Sequence, residues 1–295
     1  MKPAPFDYYA PTAVDEVLSI LAEHGDDAKL LAGGQSLMPM MNMRLATPHV
    51  VVDINRIAGL DGVRQASDGS LTIGAMTRQR TLERSHDIRQ HCPLMADAMP
   101  LLGHFQIRNR GTIGGSVVHA DPAAELPAVL LALDAELVLR HAERERIVPA
   151  DAFFVTFLTT ATEPDELLTE IRLPAWSAAW GWNIQEVSRR QGDFALVGSV
   201  AMLQVDDTET CRAARMVLFG VGDAPVRVTR AEASMIGQRL DDALLQAVAE
   251  MVTEALEPEG DIHASATYRK EVGGVMARRT LQQARLRAMG SVSAG

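Results

Sequence analysis

The 295-residue chain is 47% hydrophobic and carries 28 Lys and Arg against 38 Asp and Glu, a formal charge of −10 at pH 7. That length and apolar content suffice for one or two cores of ordinary size, and the acidic balance argues against a nucleic-acid partner, whose phosphates need a concentrated basic face. The densest basic cluster, Arg278, Arg279, Arg285 and Arg287, has helical spacing and reads as a solvated face.

The opening stretch MKPAPFDYYAPTAVDE lacks an apolar h-region, so no secretory signal is expected. No apolar run reaches the roughly 18 residues that a membrane span needs. Cys92 and Cys211 lie far apart without CxxC spacing, and an iron–sulfur cluster takes about four thiolates. They read as structural thiols of a reduced, cytoplasmic chain.

In chain order, PTAVDEVLSILAEHG predicts a helix with Thr12 as N-cap, Val14, Val17, Leu18 and Leu21 on one face, and Gly25 at its end. AKLLAG and VVVDIN (50–55) predict short strands flanking the glycine pair Gly33–Gly34, which therefore sits at a strand-to-loop junction in a small α/β unit. SLTIGAM (70–76) alternates as a strand, and PLMADAMPLL (93–102) predicts a helix. IRNRGTIGGSVVHADPAAELPAVLLAL then holds a second glycine-rich segment and a helical apolar run. AELVLR, ERIVPA and ELLTEIRLP (166–174) are expected to complete a mixed sheet, and 174–183, with all three tryptophans, marks a boundary. Beyond it IQEVSRR, ALVGSVAMLQVD and ARMVLFGVG read as three sequential antiparallel strands. Two helices follow, DALLQAVAEMVTEAL and SATYRKEVGGVMARRTLQQARLRAM, the second interrupted by Gly273 and Gly274. Strands followed by helices indicate a separate α+β domain.

Backbone N–H groups freed from regular pairing make a concave anion site, and glycine lets a phosphate come close to them. Gly33–Gly34–Gln35–Ser36 and Thr112–Ile113–Gly114–Gly115–Ser116 share that design, paired glycines beside a hydroxyl residue. Each alone is consistent with a plain turn. Two of one type in a single domain favour a ligand with more than one phosphate. Neither reads GxxxxGK[ST] or GxGxxG, so a P-loop and a Rossmann site are disfavoured.

LLAGGQSLMPMMNMRL, IRNRGTIGGSVVHADPAAELP and EVSRRQGDFALVG, in this order and spacing, resemble the FAD-binding medium subunit of the molybdenum hydroxylases, the xanthine oxidoreductase and carbon monoxide dehydrogenase family. The resemblance covers essentially the whole chain. It implies an α+β fold: a two-subdomain FAD-binding domain of the PCMH type (vanillyl-alcohol-oxidase-like) over 1–176, with subdomains 1–55 and 56–176. A smaller domain of three antiparallel strands and helices would fill 177–290. Carried over by position, Leu30, Leu31, Ala32, Gly33, Gly34, Gln35, Ser36 and Leu37 would wrap the FAD diphosphate. Thr112, Gly114, Gly115 and Ser116 would hold its other side, Ser116 replacing a common asparagine. Glu125 stands where relatives often have an aspartate contacting the cofactor, Leu102 and Leu168 match apolar lining positions, and Phe194 matches a residue placed over the isoalloxazine. Where some relatives have lysine, this chain has Gln185–Glu186. His119 is either a cofactor contact or a histidine in a polar turn.

The family further implies a small subunit with two [2Fe-2S] clusters and a large molybdopterin subunit, assembled as a dimer of heterotrimers, with substrate hydroxylated on the large subunit. This chain would pass the electrons on to NAD⁺, a quinone, a cytochrome or oxygen. The chain itself shows no nucleophile–base pair and no metal-ligand spacing around His104 or His141. Met38, Met40, Met41 and Met43 read as adaptable packing. Two other readings stand beside this one: a self-contained flavoenzyme, and a scaffold that has lost FAD, the latter opposed by two intact glycine segments.

Overall fold

The computed structural model describes residues 2–290. A first unit runs β1 (Asp7–Tyr9), α1 (Val14–His24), β2 (Ala28–Leu31), α2 (Leu37–Asn42) and β3 (Val50–Asp53). Its three strands are parallel in the order β1-β3-β2. Helix α1 buries Val17, Leu18 and Leu21 against Val50 and Val52, as their helical spacing requires. Its N-cap is Ala13 rather than Thr12. The Thr12 N–H instead donates to the Glu16 carboxylate at 2.9 Å, so the acid, not the hydroxyl, satisfies the helix entry.

The second unit contains β4 (Val63–Gln65), β5 (Leu71–Gly74), α3 (Gln79–Arg84), α4 (His86–His91), α5 (Pro93–Ala98), α6 (Phe105–Arg110), α7 (Ile113–His119), α8 (Glu125–Ala132), β6 (Glu136–Arg140), β7 (Glu145–Pro149), α9 (Ala150–Phe153), β8 (Phe154–Thr156), β9 (Thr159–Thr160) and β10 (Leu167–Leu173). Its five-stranded sheet has the order β4-β5-β10-β6-β7. Every neighbouring pair is antiparallel, so the expected mixed sheet is corrected. The parallel pairing is confined to the first unit. Helix α8 is buried at every position, as a helix that is apolar all round must be. It lies between its own unit and the third, packed on strands of the latter.

The third unit runs β11 (Gly181–Ser188), β12 (Ala195–Val205), β13 (Cys211–Phe219), β14 (Val226–Arg227), α10 (Thr229–Met235), α11 (Asp242–Ala255) and α12 (Ala266–Ala288). The three long strands are antiparallel as expected, and the short β14 adds a fourth. Helix α12 is continuous through Gly273 and Gly274. Those glycines do not break it; they allow α11 to approach. A Cβ on Gly274 would stand 1.9 Å from the Thr253 Oγ1 of α11, and one on Gly273 would stand 2.4 Å from Leu256 Cδ1.

Two polar clusters join the second and third units. Asp134, in the left-handed region at φ 51°, accepts from Arg215 and Arg227 at 2.6 Å each. Asp97 accepts from Trp182 Nε1 at 3.0 Å and Arg287 at 2.7 Å, while the Arg287 guanidinium stacks 4.8 Å from the Trp182 ring centroid. The C-terminal arginines are therefore only partly a solvated face: Arg287 belongs to this inter-unit contact, and Arg285 donates to the Leu240 carbonyl at 2.6 Å.

Candidate functional site

Beyond β2 the chain leaves the sheet at Ala32 and crosses to α2 through the first glycine pair. Gly34 has φ 71°, which a side chain would strain. Gly33 is excluded from bearing a side chain by its neighbour: its Cβ would lie 2.6 Å from the Arg110 carbonyl oxygen and 2.7 Å from Gly111 Cα. The Gln35 carboxamide folds back to donate to the Gly33 carbonyl at 2.9 Å. Among the described residues, no acceptor meets the backbone N–H of Gly33, Gly34, Gln35, Ser36 or Leu37. Five consecutive donors are free.

The second segment is built differently, and the expectation of a matching open loop is corrected. Residues 113–119 form α7, and Thr112 is its N-cap, accepting the Gly115 N–H at 3.0 Å. Ile113 donates to the Thr77 carbonyl at 3.0 Å, Gly114 to Ala75 at 2.8 Å and Ser116 to Thr112 at 3.2 Å. Its donors are spent on helix capping and on a bridge between Arg78 and Thr112. Gly114 is small because Ala75 is close: a Cβ would lie 2.7 Å from it. Gly115 faces the first segment, with its Cβ position 3.5 Å from Ala32 Cβ and 4.0 Å from Gly33 N. The fold thus brings the two segments, eighty residues apart in the chain by roughly that count, into direct contact across two units.

A polar chain supports the junction, and sequence reading passed over it. Asn55 Nδ2 donates to the Leu31 and Ala32 carbonyls at 3.2 and 2.9 Å and to Asp53 Oδ1 at 2.6 Å. Tyr8 donates to Asp53 Oδ2 at 2.6 Å. Burial works against the Asp53 charge, but hydrogen bonds from Tyr8 and Asn55 hold its carboxyl below the usual range. Arg78 donates to Asn55 Oδ1 at 2.6 Å and to the Arg110 carbonyl. The one local signal was Asp53-x-Asn55 just past a strand, where an Asx side chain bonds its own backbone two residues on.

The remaining candidates divide. Leu102 and Leu168 are 5% and 4% exposed and belong to the main core cluster. His119 is half-buried in the last turn of α7. Phe194 is 61% exposed on the β11–β12 turn, where Gly192 packs against His104. Of the methionines, Met41 is in the core while Met43 is 53% exposed, which corrects the reading of Met43 as packing. Glu125 opens α8 and is buried. Burial, with Glu186 and Asp121 nearby, pushes its carboxyl up to about 8. Burial pushes Glu186 up to about 7, and its Oε2 is buried without a partner. Among the described residues there is no group of three His, Cys, Asp or Glu able to hold a metal, and no helix long and apolar enough to cross a membrane.

Comparison with known proteins decides what this arrangement belongs to. Residues 4–176 match the family described as FAD binding domain in molybdopterin dehydrogenase, and residues 182–284 match the CO dehydrogenase flavoprotein C-terminal domain. The chain belongs to this flavoprotein family. It is 41% identical to the 6-hydroxypseudooxynicotine dehydrogenase complex subunit alpha of Paenarthrobacter nicotinovorans, over 98% of this chain and 97% of that protein. It is 37% identical to the carbon monoxide dehydrogenase medium chain of Hydrogenophaga pseudoflava, over 96% and 98%. A solved structure of carbon monoxide dehydrogenase from Hydrogenophaga pseudoflava, lacking the Mo-pyranopterin moiety of its molybdenum cofactor, aligns at TM-score 0.94 and 38% identity over 97% of this chain and 99% of that one. The α+β fold class is therefore that of the molybdenum hydroxylase flavoproteins. As a member of the family the chain is the FAD subunit of an oxidoreductase.

The residues present suit that cofactor. Five free N–H groups in a row, with glycine at two of the positions, can receive the oxygens of a diphosphate. The adjacent Arg78 guanidinium hydrogen-bonds two neutral oxygens, Asn55 Oδ1 and the Arg110 carbonyl, and places a cation beside the segment.

Proposed function

We propose that this chain holds FAD across the junction of its first two units and passes electrons from an iron–sulfur partner subunit to an external acceptor. The observation that carries the reading is the run of free donors at Gly33 to Leu37, closed on one side by Gly115 of α7. Backbone donors of Gly33, Gly34, Gln35, Ser36 and Leu37 would take the diphosphate. Leu30 and Leu31 at the end of β2, with Ala32 after them, would set their direction. On the facing side Thr112 fixes the first turn of α7, and Ser116, half-buried there, offers a hydroxyl. When bound, FAD supplies exchange of electrons both singly and in pairs.

The other candidates take secondary places in this reading. Leu102 and Leu168 back the site as core, Gly114 seats α7 on Ala75, and His119 sits at the far end of that helix. Glu125, its carboxyl pushed up to about 8, would face the flavin side as a protonated acid beside Glu186, and Phe194 would shield the exposed edge. The names of the relatives, subunits and medium chains of dehydrogenases, support a multi-subunit complex. We assign it a small iron–sulfur subunit and a large molybdopterin subunit in a dimer of heterotrimers. Two free, buried cysteines are consistent with a reducing cytoplasm.

The test is FAD occupancy. Gly34→Val puts a β-branched side chain at φ 71°, beside Leu31 and Met38, and blocks close approach. The purified complex carrying Gly34→Val is expected to lose most of its flavin absorbance while keeping its far-ultraviolet circular dichroism. Full occupancy in that variant would overturn the assignment.

A further inference from the structure

The two glycine segments belong to different units, and their spacing is not set by the main chain alone. One side chain joins them. The Arg78 backbone pairs with Thr112, on the second segment's side. Its guanidinium then reaches into the first unit, donating to Asn55 Oδ1 at 2.6 Å and to the Arg110 carbonyl. Asn55 in turn grips the Leu31 and Ala32 carbonyls, the two residues that lead into Gly33. The Arg110 carbonyl is the same oxygen that would lie 2.6 Å from a Gly33 Cβ. Both ends of the contact are thus held by one planar group.

We propose that Arg78 is a positioning residue that fixes the separation of the two glycine segments, and through it the retention of FAD. The inference rests on the reading that these segments hold the diphosphate. A guanidinium suits the task because its donors lie in one plane at fixed directions, so two acceptors are held at a set distance. A lysine ammonium carries the same charge but no such fork. Burial, followed by the nearby charge of Arg110, lowers the Arg78 pKa, so this half-buried cation is kept at an electrostatic cost.

The experiment uses the full chain in its complex and measures FAD dissociation by the recovery of flavin fluorescence, for wild type, Arg78→Gln, Arg78→Lys, Asn55→Ala and the Arg78→Gln/Asn55→Ala double variant. Each single substitution is expected to weaken FAD binding about tenfold, the scale of losing hydrogen bonds to a charged group. The double variant should be no weaker than the worse single one by more than about twofold, because both act through one link. Arg78→Lys should not rescue. The melting temperature of the FAD-free chain should stay close to wild type in Arg78→Gln and Asn55→Ala alike. Wild-type affinity in Arg78→Gln, multiplicative losses in the double variant, full rescue by lysine, or a large drop in FAD-free melting temperature would each overturn the positioning role. Gly34→Val, run alongside, separates the two levels: if it loses FAD while Arg78→Gln retains it, only the present inference fails; if it retains FAD, the underlying assignment fails.

Discussion

Glu125 and Glu186 come from different units, the start of α8 and β11; burial raises both carboxyls, and the Glu186 charge adds to the rise at Glu125. Glu125 is the more buried, and its carboxyl, ordinarily near 4.5, is pushed up to about 8. Between those two values the folded chain keeps a proton that the unfolded chain has released. Stability is therefore full below about pH 4.5, falls as pH rises through the window, and levels off above about 8. Glu125→Gln mimics the protonated form, so its melting temperature should decline less than that of wild type over this range, with the difference largest at the alkaline end. Parallel curves for the two proteins would show that Glu125 is ionised in the fold. Nothing local announces this pair. Glu125 was legible as a position, but its partner lies sixty or so residues away on the sheet, and only the tertiary packing of α8 on the third unit brings the two together. The same holds at the glycine segments. Their glycines were visible because φ 71° strains most side chains and a backbone 2.6 Å away excludes any. Whether their donors are free depends on the Thr77 and Ala75 carbonyls, which no inspection of TIGGS could supply.

Elements were legible where one periodicity dominated. The α1 face and α11 followed from helical spacing, because each buries one side of an amphipathic pattern. The long antiparallel strands followed from apolar runs with short connections, β12 being buried on both faces. Two glycine pairs lie within helices where their sequence indicated a loop or a break, because a glycine's small size there admits a packed neighbour. TIGGS became the first turn of α7 packed on Ala75, and Gly273–Gly274 became the seam between α11 and α12. That seam is testable. Gly274→Val drives a branched side chain into Thr253 and should destabilise the chain by about 1–3 kcal/mol, as overpacking typically does. Urea unfolding of the purified protein would measure it. FAD content at low denaturant should be unchanged, because the seam lies on the third unit, away from the glycine junction; an undiminished midpoint would mean that the helices separate freely.

Across the whole molecule, the second and third units are joined by the apolar body of α8 and by the two aspartate-centred clusters. Asp134 is 46% exposed and its partners Arg215 and Arg227 are 28% and 20% exposed, so solvent screens the pairing. Asp134→Asn keeps a residue that tolerates the left-handed backbone and removes only the charge. The expected cost is about 1 kcal/mol at low ionic strength, shrinking at high salt. A salt-independent loss, read from melting curves at both ionic strengths, would assign Asp134 a role in the turn rather than in the ion pair.

The unequal state of the two glycine segments has a consequence for how the site is occupied. On one side, Thr77, Ala75 and Thr112 hold the amides at the start of α7. On the other, the amides of Gly33 to Leu37 have only solvent or ligand to answer them. The donors offered to an anion are therefore concentrated in five residues of one wall instead of being shared by both walls. Both walls are held in place, the first by the Gln35 bond to the Gly33 carbonyl and the Met38 bond to Gly34, the second by the capping of α7. Such a division separates the wall that donates from the wall that sets the spacing, so a change in one can be made without unmaking the other.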